Sequence, residues 1–199
     1  MAGNTETEAF DNYARPLKAV LSCVTGAHIV HPKRKGFGSP QAPEYFAFSR
    51  NPAPLNESSL YLYFLQSFHV GPDERTPGQF KVFTSMYRYE VYFVSAQTKD
   101  EIIAYHWEPA GSAVSYPHIH IGFGARAQRV PEESAGGGAH GARNAEPPFD
   151  PKCHIPSGRV PIEDLVCFLI NELCVVPLKP NWQEIVAGTR LAFMRNKSW

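Results

Sequence analysis

Between Leu60 and Trp107 the chain spells out three strand-like runs joined by short turns, and this restricts the fold more than any other stretch. Leu60 to Val70 is dense in aromatic and aliphatic residues and reads as a buried strand. A turn from Gly71 to Gly78 leads into a long strand from Phe80 to Val94, with a break expected near Thr84 and Ser85. Ala96 to Asp100 then connects to a strand that ends at Trp107. Consecutive strands with short connections predict an antiparallel meander. Side chains alternate between the faces of a strand, so Tyr87, Tyr89, Val91 and Phe93 share one face, and Arg88 and Glu90 share the other.

The same alternation acts on YHWEPAGSAVSYPHIHIGFG, Tyr105 to Gly124, which holds three of the eight histidines. Ile103, Tyr105 and Trp107 fall on one face and His106 on the other. His118 and His120 likewise oppose Ile119, Ile121 and Phe123. The apolar side goes to a core, so the imidazoles are expected on the opposite side, facing away from it. If Pro109 to Ser115 close a hairpin in symmetric register, His106 lies opposite His118. A fourth histidine, His154, follows in the segment CHIPSGRVP.

Helices are expected toward both ends. Ala9 to Val24 has helical spacing interrupted by Pro16. Ile162, Leu165, Val166, Leu169, Ile170 and Leu173 repeat as one helix face behind Pro161, with Glu163 and Asp164 suited to the first turn. After Pro177 and Pro180, Asn181 suits the cap of a last helix that buries Trp182, Ile185, Val186, Leu191 and Phe193. Glu44 to Ser49 adds a short strand. The predicted fold is a single α+β domain over residues 1–199, with an antiparallel sheet of about five or six strands and N- and C-terminal helices packed on one face. Residues 129–150, rich in glycine and small residues, are expected to form a flexible insertion, with His140 a bystander.

Charge and cysteine content narrow the function classes. The formal net charge is zero, so no global basic field holds nucleic acid, and contact with it would have to be local. Lys33, Arg34 and Lys35 read as a solvated loop. Cys23, Cys153, Cys167 and Cys174 show no paired spacing and are expected as buried free thiols of a reducing compartment. No leader opens the chain and no apolar run has the length of a membrane span, so the expectation is a cytoplasmic protein without membrane contact.

Imidazoles give and take protons near neutral pH. A pair on one sheet face suits acid–base cleavage of a phosphodiester, one ring taking the proton of the attacking hydroxyl and the other protonating the leaving oxygen. Catalytic candidates are His118, His120, His154 and Arg159, with His106 assisting. Ser157 and Gly158, just before the Pro161 helix, together with Arg159 would bind the anion, and Tyr105 and Tyr116 would shape the site. In this reading there is no cofactor. A metal site is the competing reading, with His106, His118 and His120 as ligands and a carboxylate such as Glu108 nearby. The third is a polar sheet surface whose histidines bond loops.

The order Tyr87–Tyr89, then Tyr105-His106-Trp107, then Pro117-His118-Ile119-His120 resembles the TumE-type toxins of bacterial toxin–antitoxin systems over residues 87–121. Trp107-Glu108 and the CHIPSGRVP segment depart from that pattern. Histidine-triad hydrolases, which place another histidine where Gly122 stands, and two-histidine phosphoesterases fit less well. The resemblance implies a growth-arresting ribonuclease, with RNA as substrate and a small antitoxin or other protein as partner. The leading expectation is a toxin-like, metal-independent ribonuclease or phosphodiesterase using the histidine cluster. The alternatives are a non-enzymatic partner or regulatory subunit of a bacterial defence or toxin–antitoxin system, and a divalent-metal hydrolase.

Overall fold

The computed structural model describes residues 2–31, 44–110, 114–122 and 154–195. Strand β5 (Leu60–Pro72) and strand β6 (Phe80–Val94) form its longest ladder, antiparallel from Leu60↔Phe93 to Pro72↔Phe80. On β5 the residues Leu60, Leu62, Phe64 and Gln66 are buried. Their partners Phe93, Val91, Tyr89 and Tyr87 carry the same face onto β6. Strand β7 (Lys99–Trp107) continues the meander antiparallel to β6, as the spacing of apolar residues requires. The protein is α+β, with one antiparallel sheet and helices toward both ends.

The sheet has more strands than expected, nine among the described residues, because several are short. The main order is β2 (Ile29–Val30), β3 (Glu44–Phe48), β5, β6, β7, β8 (His118–Ile121) and β9 (His154–Pro156). Strand β1 (Ala2–Gly3) pairs with β6 and β4 (Ala53–Pro54) with β5. Two- and three-residue pairings leave no periodicity to read, which is why the sequence shows only the long ladders.

Two bulges set the phase of the sheet. Ser85 is the extra residue between Ser67↔Met86 and Phe68↔Thr84, so the expected break is a bulge inside a continuous strand. Ile102 is the extra residue between Val91↔Ile103 and Tyr92↔Glu101, which turns Glu101 onto the face of Tyr92 and away from the core.

Helix α1 (Glu6–Leu21) starts at Thr5, whose hydroxyl accepts from the Glu8 amide at 3.1 Å. It runs on through Pro16 because Leu17, Val20 and Leu21 are buried on the sheet and hold the turns around the missing donor. Helix α2 (Ile162–Asn171) buries Ile162, Leu165, Val166 and Leu169, and Pro161 is its N-cap residue. Helix α3 (Trp182–Arg195) buries Val186 and packs Trp182 and Ile185 partly against the core. Leu191, expected inside, is 57% exposed. The side chain of Phe193 lies outside the described residues. Phe46, Phe64 and Phe68 are fully buried, each contributing about 1.5–3 kcal/mol of burial free energy.

One polar cluster sits in this core without an orphan. The Gln66 amide nitrogen donates to the Tyr13 hydroxyl and to Thr84 Oγ1, and its oxygen accepts from the Tyr89 hydroxyl at 3.0 Å. The cysteines divide differently from expectation: Cys23 is buried, Cys167 half-buried and Cys174 exposed just beyond α2, while Cys153 lies outside the described residues. Lys33, Arg34, Lys35, His140 and the expected insertion at 129–150 also lie outside them. No described helix is long and apolar enough to cross a membrane.

Candidate functional site

The face of the sheet opposite the helices carries Arg88 and Glu90 on β6, His106 on β7 and His118 and His120 on β8. Strand β7 pairs with β8 so that His106 lies across from His118, the register of the symmetric hairpin. Strand β8 pairs with β9 so that His120 lies across from His154. The four rings come together as a consequence. Centroid distances are 4.7 Å for His106–His120, 4.9 Å for His118–His120, 4.8 Å for His118–His154 and 4.4 Å for His120–His154. With Arg88 and Glu108 they line a cavity of about 200 Å³.

The wall beneath the rings is a buried ionic cluster. Glu90, 4% exposed, accepts from His106 Nε2 at 2.9 Å, from Arg88 Nη2 at 2.7 Å and from the Tyr92 hydroxyl. Burial alone would raise its carboxyl, but the hydrogen bonds from His106 and Tyr92 and the Arg88 charge outweigh it and hold the group down at about 2. Glu90 is therefore an ionised, acceptor-only partner. Arg88 Nε also stands 3.2 Å from Glu108 Oε1, although that nitrogen is buried without a well-aligned acceptor. Glu101, brought to this face by the bulge, is raised by burial and by the neighbouring Glu90 charge.

Each ring is held in its own way. His118, at 2% exposed, places Nδ1 2.8 Å from the Tyr116 carbonyl oxygen, so Nδ1 carries the hydrogen. His120 Nε2 lies 3.0 Å from His154 Nδ1. Burial, followed by the charges of His106, His154 and His118, lowers His120 to about 4, so its ring is neutral at physiological pH. His154 is exposed.

The expected site residues separate into two groups. His106, His118, His120 and His154 converge, and Tyr116 flanks them with its ring 6.0 Å from that of His118. Arg159 does not join them. Its guanidinium stacks on the Trp107 ring at 3.6 Å, and the neighbouring Val160 amide donates to the Tyr87 hydroxyl, so the segment is tied to the helix side of the sheet. Ser157 and Gly158 precede it, with the Ser157 amide donating to the Pro117 carbonyl and its hydroxyl donating to the Gly158 carbonyl. Neither lines the cavity. Tyr105 is buried among core residues. On the face away from the core His118 is nonetheless only 2% exposed, enclosed by the other rings. Comparison with family models, with curated proteins and with solved structures gave no match. Glu90 and Arg88 are the site residues that a search for histidines overlooks. Their alternation with Tyr87, Tyr89 and Val91 is the signal that places them here.

Proposed function

We propose that the protein is a hydrolase of phosphodiester bonds, with its reaction centred on the histidine cavity. The observation that carries this reading is a neutral His120, hydrogen-bonded to the exposed His154, in one cavity with the Arg88 guanidinium. The attacking oxygen would be activated at the face formed by His106, His118 and His120. Arg88 would offset charge on the phosphoryl oxygens, and His154 would serve the leaving oxygen. RNA is the substrate class implied by the resemblance to TumE-type toxins, and a small antitoxin the implied partner. The test is turnover of bis(p-nitrophenyl) phosphate and of single-stranded RNA by the purified chain. Cleavage that persists in the His120→Ala/His154→Ala double variant would remove the reading.

A second reading is supported by the β8–β9 edge, where Tyr116, Ile121 and Ile155 are exposed at 46%, 42% and 41%. Exposed apolar side chains beside a short edge strand suit a partner protein. A stable complex formed without turnover, and lost in Ile155→Asp, would favour a regulatory or defence-system subunit over an enzyme.

A further inference from the structure

We propose that His106, His118 and His120 bind one divalent transition-metal ion, with zinc as the best-suited class, and that His154 stands outside the ligand set as the partner of His120. The inference deepens the hydrolase reading and rests on the same cavity, but departs from the metal-free chemistry expected from the sequence.

The three residues offer ligand nitrogens that all lie within 4.8 Å of one another. Zinc–nitrogen bonds of about 2.0–2.1 Å separate tetrahedral ligands by roughly 3.3 Å. Modest side-chain rotations therefore close the set.

The ring nitrogens are presented in the form a metal needs. The Glu90 carboxylate only accepts, so His106 Nε2 carries the hydrogen and Nδ1 has its lone pair free for a ligand. The Tyr116 carbonyl also only accepts, so His118 bonds through Nδ1 and keeps the Nε2 lone pair. Among the described residues His118 Nε2 makes no hydrogen bond, and His118 lines the cavity. His120 presents the Nδ1 lone pair when its Nε2 donates to His154 Nδ1. Each ligand ring thus has an outer partner on its other nitrogen: a carboxylate, a carbonyl and an imidazole. Metal-bound histidines show this outer arrangement, because it fixes the tautomer and the ring orientation. A merely polar sheet surface has no need to fix the tautomers of both His106 and His118.

The donor set selects the class of ion. Neutral imidazoles suit zinc, copper, iron or nickel, and among the described residues no cysteine lines the cavity. Three protein ligands leave a further position facing the cavity, the hallmark of a catalytic rather than a structural zinc site. Water in that position would give the attacking oxygen proposed above.

The experiment is metal content of the untagged full chain by plasma mass spectrometry, followed by zinc titration of the stripped protein against a chromophoric chelator. About one ion per chain is expected, with affinity lost in His106→Ala and His120→Ala and unchanged in His69→Ala, a histidine stacked on Phe83 far from the cavity. Glu90→Gln keeps all three ligands and is expected to weaken zinc about 10–100-fold through His106 alone. Nitrogen-15 spectra of the stripped protein should show His106 protonated at Nε2 and His118 at Nδ1. Failure of the loaded protein to hold zinc, stoichiometric zinc surviving both alanine changes, or the reverse tautomers would overturn the site. Tight zinc without phosphodiester turnover upholds the site and removes the hydrolase reading. Turnover by protein that takes up no metal does the opposite.

Discussion

His106 and His118 face each other directly across β7 and β8, yet their imidazoles are protonated on different nitrogens. Glu90 takes the hydrogen of His106 at Nε2, and the Tyr116 carbonyl takes that of His118 at Nδ1. The rings stand edge to face, 88° apart, with centroids at 5.8 Å. The sheet supplies the pairing and the acceptors supply the direction.

The two β8 histidines are expected to differ in what they do for the fold. His118→Ala removes a ring that is 2% exposed and leaves the Tyr116 carbonyl without its donor. The expected cost is about 1–3 kcal/mol. His120→Ala, at a half-buried position, should cost less than about 1 kcal/mol. Urea unfolding of the two variants measures the difference, and equal losses would contradict the burial of His118.

Stability should fall on acidification in two stages. His120 is held at about 4 against an ordinary 6.5, so below 6.5 the unfolded chain takes a proton that the folded chain refuses. Stability from this group is complete above 6.5 and erodes as pH falls toward 4. Glu90 is held at about 2 against 4.5, and its contribution is lost between those values. Urea midpoints from pH 8 to 3 test both stages. The first should vanish in His120→Ala, and an unchanged profile in that variant would assign the acid loss elsewhere.

Gly122 stands where β8 passes closest to the bulge of β7. Its amide donates to the Ile102 carbonyl at 2.9 Å, and a Cβ there would lie 1.7 Å from the Glu101 carbonyl oxygen. Gly122→Ala must therefore displace backbone, with an expected loss of about 2 kcal/mol or more. Gly158→Ala, where a Cβ meets nothing within 4 Å, serves as the neutral comparison. Similar melting temperatures for both variants would contradict the close approach.

The two arginines near the cavity should separate by function. Arg88→Gln is expected to lower phosphodiester turnover at least ten-fold, since it removes the cavity's guanidinium. Arg159→Ala gives up its stacking on Trp107, away from the cavity, and should leave turnover unchanged. Steady-state kinetics of both variants decide this, and the reverse ranking would move the anion site to the segment before α2.

Much of this arrangement was legible because strands alternate. Tyr87, Tyr89, Tyr105 and Ile119 announce a core face, and that leaves His106, His118 and His120 on the other. The α2 helix was equally plain from Ile162 to Leu173. Arg159 departs from expectation because a basic residue before a helix resembles an anion site. Alternation already puts the Trp107 ring on the core face, but nothing in the local sequence reveals that Arg159 stacks on it. His154 pairs with His120 from 34 positions away in the sequence, a contact that no local pattern specifies. The burial of His118 likewise depends on the other rings, which arrive from three separate strands.

Strand β9 has further consequences for motion. It consists of three exposed residues at the outer edge of the sheet, beyond β8, held by the His118↔Pro156 to His120↔His154 pairings and the Ser157–Pro117 bond. Tyr89 to Val91, by contrast, lie between two long ladders. In hydrogen–deuterium exchange the β9 amides should become labelled through local opening, well before those of central β6, which wait for global unfolding. One cavity wall then belongs to an early-exchanging edge of the sheet, while Glu90 and Arg88 belong to a slow-exchanging central strand.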